Sequence, residues 1–230
     1  MKTLGLITAR KGSKGIPGKN IKMINNKPLI SWTIEQALDS QVLDDIVIST
    51  DSEEIIEIGK TYGIKPCFTR PESLSQDSSS HIDVVLHSLS WLEKNKYLPQ
   101  YVMLLQPTSP LRTAQDIKNC INIAKDSDLD SIVSISKTPV HPFQMKKIST
   151  DGMIYDYEKK PNKYIPRQDH PNVFFTNGAI YLTKAEIILK QKTFFPKNTI
   201  GYEMPYKRSI DIDDEFDFFI CDKILKENKI

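Results

Sequence analysis

The chain has no excess of charge of either sign, since 31 basic and 29 acidic side chains leave a formal net charge of +2 over 230 residues. That balance excludes a protein held to nucleic acid by its overall field, so any anion site must be local. Cysteine is scarce: Cys67, Cys120 and Cys221 are odd in number, widely spaced and without a CxxC pair. They argue against a disulfide framework or a cysteine zinc site and fit buried thiols in a reducing compartment. The four histidines show no metal-ligand spacing. No apolar run reaches the length of a membrane span or a signal-peptide core, so the expected location is cytoplasmic, with no membrane partner.

What is present is an alternation of strand and helix patterns. Thr3–Ala9 is an apolar run suited to a strand buried on both faces, Pro28–Ser40 carries apolar residues at helical spacing, and "DIVIST" (45–50) reads as the next strand. Asp51 and Glu54 suggest a capping box for a helix ending near Gly63, and "IKPCF" (64–68) reads as a third strand. Helical and strand patterns then alternate through His81–Lys96, "YVMLLQ" (101–106), Thr113–Asp126 and "SIVSIS" (131–136). The expected fold is α/β, a doubly wound, mostly parallel sheet with helices on both faces. The rhythm fails from about Thr138 to Phe175, a stretch rich in Pro, Lys, Asp and Asn, and resumes with "GAIYLT" (178–183). The expected division is therefore an α/β domain of residues 1–137 and 176–230 with a small subdomain, 138–175, inserted between them.

The loop after the first strand, "ARKGSKGIPGKN" (9–20), places Gly12, Gly15 and Gly18 among Arg10, Lys11, Lys14 and Lys19. In a doubly wound sheet this loop lies at the ligand-binding edge, where glycines let backbone N–H groups approach an anion and cations neutralise it. It is not a P-loop, because five residues separate Gly12 from Gly18 and Asn20 follows Lys19 in place of Ser or Thr. The GxGxxG dinucleotide fingerprint fails as well. What remains suits a triphosphate.

Further constellations sit at the ends of other elements. Asp211 and Asp213, two apart in an extended segment, face the same way with Ile212 turned inward, which makes either an oxygen site for Mg²⁺ or a cap for the following helix. In "RPESLSQDSSS" (70–80), Arg70 can anchor a base or phosphate and Ser79 and Ser80 can hydrogen-bond a base edge, while Asp77 or the serines can equally cap the helix from His81. "LLQPTSPLR" (104–112) fixes Gln106, Ser109 and Arg112 in a proline-stiffened loop. Arg167 is a candidate partner for a substrate carboxylate. Tyr181, Phe194 and Phe195 read by composition as core.

These motifs, together with "STD" (49–51), "NGAIY" (177–181) and "SIDIDDEFD" (209–217), resemble in order and spacing the CMP-sialic acid synthetase (acylneuraminate cytidylyltransferase) family, which includes CMP-legionaminic and CMP-pseudaminic acid synthetases. The resemblance implies a Rossmann-like nucleotidyltransferase that moves CMP from CTP to the anomeric hydroxyl of a nonulosonic acid and releases pyrophosphate. It implies that Arg10, Ser13, Lys14 and Lys19 hold the triphosphate, with Arg10, Lys14 and Lys19 assisting catalysis. Asn20 would fix the nucleotide, Arg70 and the Ser79–Ser80 region would read cytosine, Gln106 would contact the sugar acid, and Asp211 and Asp213 would hold Mg²⁺. It further implies a homodimer in which Tyr181, Phe194 and Phe195 reach the neighbouring subunit's pocket. Two positions depart from the family pattern. His81 stands where relatives can carry Ser, and "HPFQMKK" (141–147) has Gln144 where they tend to have Lys, with Lys146 two residues on. The competing readings are a CMP-KDO synthetase, against which Lys14, "NGAIY" and the paired phenylalanines argue, and a non-catalytic nucleotide binder, which has no use for the paired aspartates.

Overall fold

The structure, a computed structural model, describes residues 1–159, 166 and 169–227. Its centre is a six-stranded sheet of β1 (Thr3–Thr8), β4 (Asp45–Ser49), β5 (Tyr101–Leu105), β6 (Ser131–Lys137), β9 (Phe174–Lys184) and β10 (Thr199–Glu203), in the order β10-β6-β9-β5-β1-β4. β1 runs parallel to β4 and β5, and β10 parallel to β6, whereas β9 is antiparallel to both its neighbours. Two short ribbons complete the strands, β2 (Met23–Ile24) with β3 (Lys27–Pro28) and β7 (Lys146–Ile148) with β8 (Ile154–Asp156).

Period-two alternation decides which side chains meet which helices. Leu4 and Leu6 of β1 with Val102 and Leu104 of β5 face α3 (His81–Lys94) and α5 (Ala185–Gln191), packing on Val85, Leu89 and Ile188. Ile7, Met103 and Leu105 face the other way, onto Ile30 and Ile34 of α1 (Leu29–Ser40), Ile55 of α2 (Glu53–Thr61) and Ile117 and Ile121 of α4 (Ala114–Lys125). The sheet is covered on both faces, as its near-continuous apolar strands require. Cys120 and Cys221 are buried and Cys67 half-buried, all as free thiols.

A third apolar cluster bears on the loop after β1. Ile16 packs with Leu111, Ile212 and with Phe218, Cys221 and Leu225 of α6 (Glu215–Lys226). Burying one such side chain contributes about 2 kcal/mol, so Ile16 pins a loop whose cations repel one another.

Three local expectations are corrected. "IKPCF" forms no strand: β4 is the sheet edge, and residues 64–68 run beside it unpaired, with Pro66 lacking an N–H to donate. Ser52 caps α2 by accepting from the Ile55 N–H, and Asp51 instead accepts from the Lys11 N–H at 2.7 Å. Asp214, neither Asp211 nor Asp213, caps α6 in a reciprocal box with Asp217. No helix among the described residues is long and apolar enough to cross a membrane.

Candidate nucleotide-binding cleft

In the parallel part of the sheet Thr8 stands opposite Ser49 and Ile7 opposite Leu105, so the loops after β1, β4 and β5 leave the same edge. The antiparallel β9 enters at that edge, with Ile180 opposite Leu105. Segment 209–214 returns to it through the Ile212 N–H, which donates to the Thr108 carbonyl at 2.8 Å. A single cleft results. It is lined by Arg10, Ser13, Lys19 and Asn20 from the first loop, by Arg70, Asp77, Ser79 and His81 from one wall, and by Gln106, Asp211 and Asp213 from its floor. The cleft encloses about 240 Å³.

The first loop is tied down at several points. Asn20 is buried and its amide donates to the Arg10 carbonyl at 2.9 Å. The Lys19 ammonium donates to the Ile212 carbonyl at 2.5 Å and lies 3.9 Å from Asp213 Oδ1. Gly15 is required by this packing, because a Cβ there would lie 2.1 Å from the Asp213 carbonyl oxygen. Lys14 is mostly exposed and pairs with Asp77 at the mouth of the cleft, 3.1 Å away.

Arg70 is buried, with its guanidinium donating to the Ser49 hydroxyl and carbonyl. Burial pulls its pKa down to about 10, opposed by Asp51 and reinforced by Arg10. It therefore stays charged and presents a fixed cation to the cleft. Ser79 lines the cleft, but its hydroxyl is engaged within its own loop, donating to the Ser73 carbonyl. Ser80 caps α3 through the Asp83 N–H, and it is His81, one residue on, that lines the cleft.

His81 Nε2 lies 3.0 Å from the Gln106 side-chain nitrogen. An amide NH₂ only donates, so in this arrangement the imidazole nitrogen accepts. Loss of solvation, then Arg70 and Arg10, hold the ring below its ordinary pKa, which agrees. The other end of the Gln106 amide lies against Gly178, where a Cβ would sit 2.7 Å from Oε1 and 3.0 Å from Asp211 Oδ2. Gln106 and Asp211 thus share one corner.

Asp211 has the least satisfied polar atom of the floor. Its Oδ1 is buried with no hydrogen-bond partner. Burial pushes its carboxyl up, as does Asp213, against the Thr108 hydroxyl and Lys19, which pull it down. An orphaned carboxylate oxygen beside a second carboxylate fits a hard divalent cation. Among the described residues no group of three or more His, Cys, Asp and Glu could hold a metal, so a divalent cation at this pair would have to take its remaining ligands from a substrate or water.

The other expected residues lie elsewhere. Arg112 is wholly buried, donating to the Gln106 and Ala179 carbonyls and to the Thr33 hydroxyl, which makes it a brace for the Gln106 loop. Tyr181, Phe194 and Phe195 form an aromatic cluster outside the cleft lining, with ring centroids 5.2 Å and 6.2 Å from Tyr181. Arg167 lies outside the described residues. Asp77 and the His81–Gln106 contact were not foreseen as parts of the site: Asp77 read as a helix cap, and a contact across 25 residues leaves no local pattern.

Residues 4–226 match the cytidylyltransferase family. An N-acylneuraminate cytidylyltransferase of Streptococcus agalactiae serotype V is 38% identical over 95% of this chain and 52% of its own length. A CMP-N,N'-diacetyllegionaminic acid synthase of Legionella pneumophila is 34% identical over 100% of this chain and 98% of its own. A pseudaminic acid cytidylyltransferase of Campylobacter jejuni is 31% identical over 93% and 91%. The chain therefore spans about half of the streptococcal relative. A solved structure of CMP:2-keto-3-deoxy-manno-octonic acid synthetase in complex with CTP superposes with a TM-score of 0.74 at 17% identity, covering 99% of this chain and 100% of that one, a likeness of fold. With a family match across nearly its whole length and the cleft just described, the chain belongs to the cytidylyltransferase family.

Proposed function

We propose that this protein transfers CMP from CTP to the anomeric hydroxyl of a nonulosonic acid of the sialic, legionaminic or pseudaminic type, releasing pyrophosphate. The observation that carries the reading is the junction of the first loop with segment 211–213, where Lys19 reaches the Ile212 carbonyl and the Asp213 carboxylate beside the unpartnered Asp211 Oδ1. Cations for a triphosphate and carboxylates for Mg²⁺ meet at one place. The names of the streptococcal, Legionella and Campylobacter relatives support the sugar class.

In-line attack of the sugar hydroxyl on the α-phosphorus needs positioning and charge neutralisation more than covalent chemistry from the protein. Arg10, Ser13, Lys14 and Lys19 receive the phosphates, and Lys19, the least exposed of the loop ammonium groups in ion pairs, sits nearest the carboxylates. Asn20 keeps the loop in its bound shape, Arg70 faces the nucleotide, and Gln106 orients the acceptor sugar. Asp211 and Asp213 would hold Mg²⁺, which supplies positive charge against the phosphate oxygens when bound. Residues 138–175 are assigned as the inserted segment through which two copies associate. Support comes from the β7–β8 ribbon, where Ile148, Ile154 and Tyr155 are 74%, 66% and 55% exposed, as an unpartnered apolar surface seldom stays. In that homodimer Tyr181, Phe194 and Phe195 contribute to the neighbouring acceptor site, and Arg167 meets the sugar carboxylate. The enzyme is assigned to the cytoplasm, where CTP is made and thiols stay reduced.

The test is pyrophosphate release from CTP and Mg²⁺ in the presence of sialic, legionaminic and pseudaminic acids and KDO. Release with at least one of the nine-carbon acids and little with KDO is expected. Release with KDO alone would reassign the acceptor, and release with none would overturn the reading.

A further inference from the structure

The phosphate loop already holds an anion supplied by the chain. Asp77 Oδ1 lies 2.5 Å from Arg10 Nη1 and Asp77 Oδ2 lies 3.1 Å from Lys14 Nζ, so one carboxylate divides its oxygens between two cations as a phosphate group would. Asp77 comes from the opposite wall of the cleft, in the loop 70–80, and both it and Arg10 line the cavity. It does no other work there. The loop is shaped without its side chain, by the Ser79 hydroxyl donating to the Ser73 carbonyl and accepting from the Gln76 N–H, and α3 is capped by Ser80. Lys19 is left to the Ile212 carbonyl and Asp213.

We infer that Asp77 is an internal competitor for the phosphate loop, which must leave Arg10 and Lys14 before the phosphates of CTP engage them and which returns as pyrophosphate departs. This rests on the reading of that loop as the triphosphate site. The contact is suited to exchange, being an ion pair with about a third of the Asp77 side chain exposed, and such pairs are weak enough to be displaced by a more highly charged anion. The hydrogen bonds from Arg10 and Lys14 hold the Asp77 carboxyl below the usual carboxylate range, so it remains charged wherever CTP is the substrate. Its effect is on specificity by charge. A ligand that uses both cations bears the cost of displacing Asp77, and cytidine, which carries no phosphate, does not. The same competition loosens CTP and pyrophosphate by a common factor, lowering affinity for the substrate while speeding release of the product.

The experiment is calorimetric titration of the full-length protein with inorganic pyrophosphate, with CTP and with cytidine, in the wild type, Asp77→Asn and Asp77→Glu. Two modest ion pairs correspond to a tightening of about three- to tenfold. Asp77→Asn should therefore bind pyrophosphate and CTP more tightly by that factor and cytidine unchanged, and Asp77→Glu, which keeps the charge, should not tighten. Equal or weaker pyrophosphate binding by Asp77→Asn, with wild-type binding intact, overturns the competitor while leaving the proposed function standing. A wild-type protein that binds neither pyrophosphate nor CTP overturns both.

Discussion

The cleft and the β7–β8 ribbon are unsatisfied in opposite ways. At the cleft the apolar residues are content: Ile16 and Ile212 are fully buried, while Asp211 Oδ1 lacks a partner and the loop cations are held by groups a ligand can replace. On the ribbon the polar backbone is paired strand to strand, and it is Ile148, Ile154 and Tyr155 that face solvent. One region calls for charge and the other for apolar surface. The contrast separates a concave region whose polar atoms lack partners from an exposed apolar surface, although the two are parts of one chain.

The largest effect expected from breaking this contrast is at Asp211. Asp211→Ala should lower the rate of pyrophosphate release by at least about 10²-fold, the scale of losing one group aimed at transition-state charge, while the thermal unfolding midpoint holds or rises because a buried carboxylate with one unpartnered oxygen is removed. Normal turnover by the folded variant would remove the metal assignment. An intermediate effect is expected at Asp116, a buried carboxylate that is fully satisfied and so serves as the counterexample to Asp211. Burial pushes its carboxyl up, but hydrogen bonds from Arg208 and Thr113 outweigh this and hold it below its ordinary value. A lowered folded-state pKa means that the contribution is present above the unfolded carboxylate pKa, near pH 4, and is lost as pH falls through the folded value. Asp116→Asn should cost about 2 kcal/mol near neutrality and flatten the loss of stability below pH 4 in denaturant titrations; an unchanged acid limb would show that the pair contributes nothing. The smallest effect on folding belongs to the ribbon. Ile148→Asp with Ile154→Asp should change chain stability by no more than about 0.5 kcal/mol yet shift the sedimentation profile towards monomer, and an unchanged profile would place the subunit contact elsewhere.

Much of the cleft could be read before its geometry was seen, because its parts are short, local and chemically loud. The glycine and lysine loop and Gln106 directly follow β1 and β5, Arg70 and the Asp-Ile-Asp segment sit in short polar motifs, and alternation alone turns Ile212 inward. The features that escaped depend on partners far along the chain. Arg112 could be read as fixed by its proline-stiffened loop, but its bonds to carbonyls at residues 106 and 179 could not, because no periodicity announces such partners. Asp77 resembled a cap because acidic residues before helices commonly are caps, and Ser80 took the role by standing directly before the helix start. "IKPCF" has the composition of a strand, but pairing belongs to the neighbours available, and beyond β4 there are none. The antiparallel course of β9 was likewise invisible, since an apolar run carries no sign of direction.

The contact between Lys19 and the Ile212 carbonyl joins residues 193 positions apart, and this sets a schedule during synthesis. Chains fold from the amino end as they emerge, so the loop of residues 9–20 is made well before the floor of its cleft, segment 211–213. A polypeptide cut short before residue 211 would carry the cations of the site without the carboxylates that face them. Its loop would also lack the Ile212 and Phe218 surface that buries Ile16. The cleft is therefore closed only once segment 211–213 has been made, and a product that stops short of it has the loop without its floor.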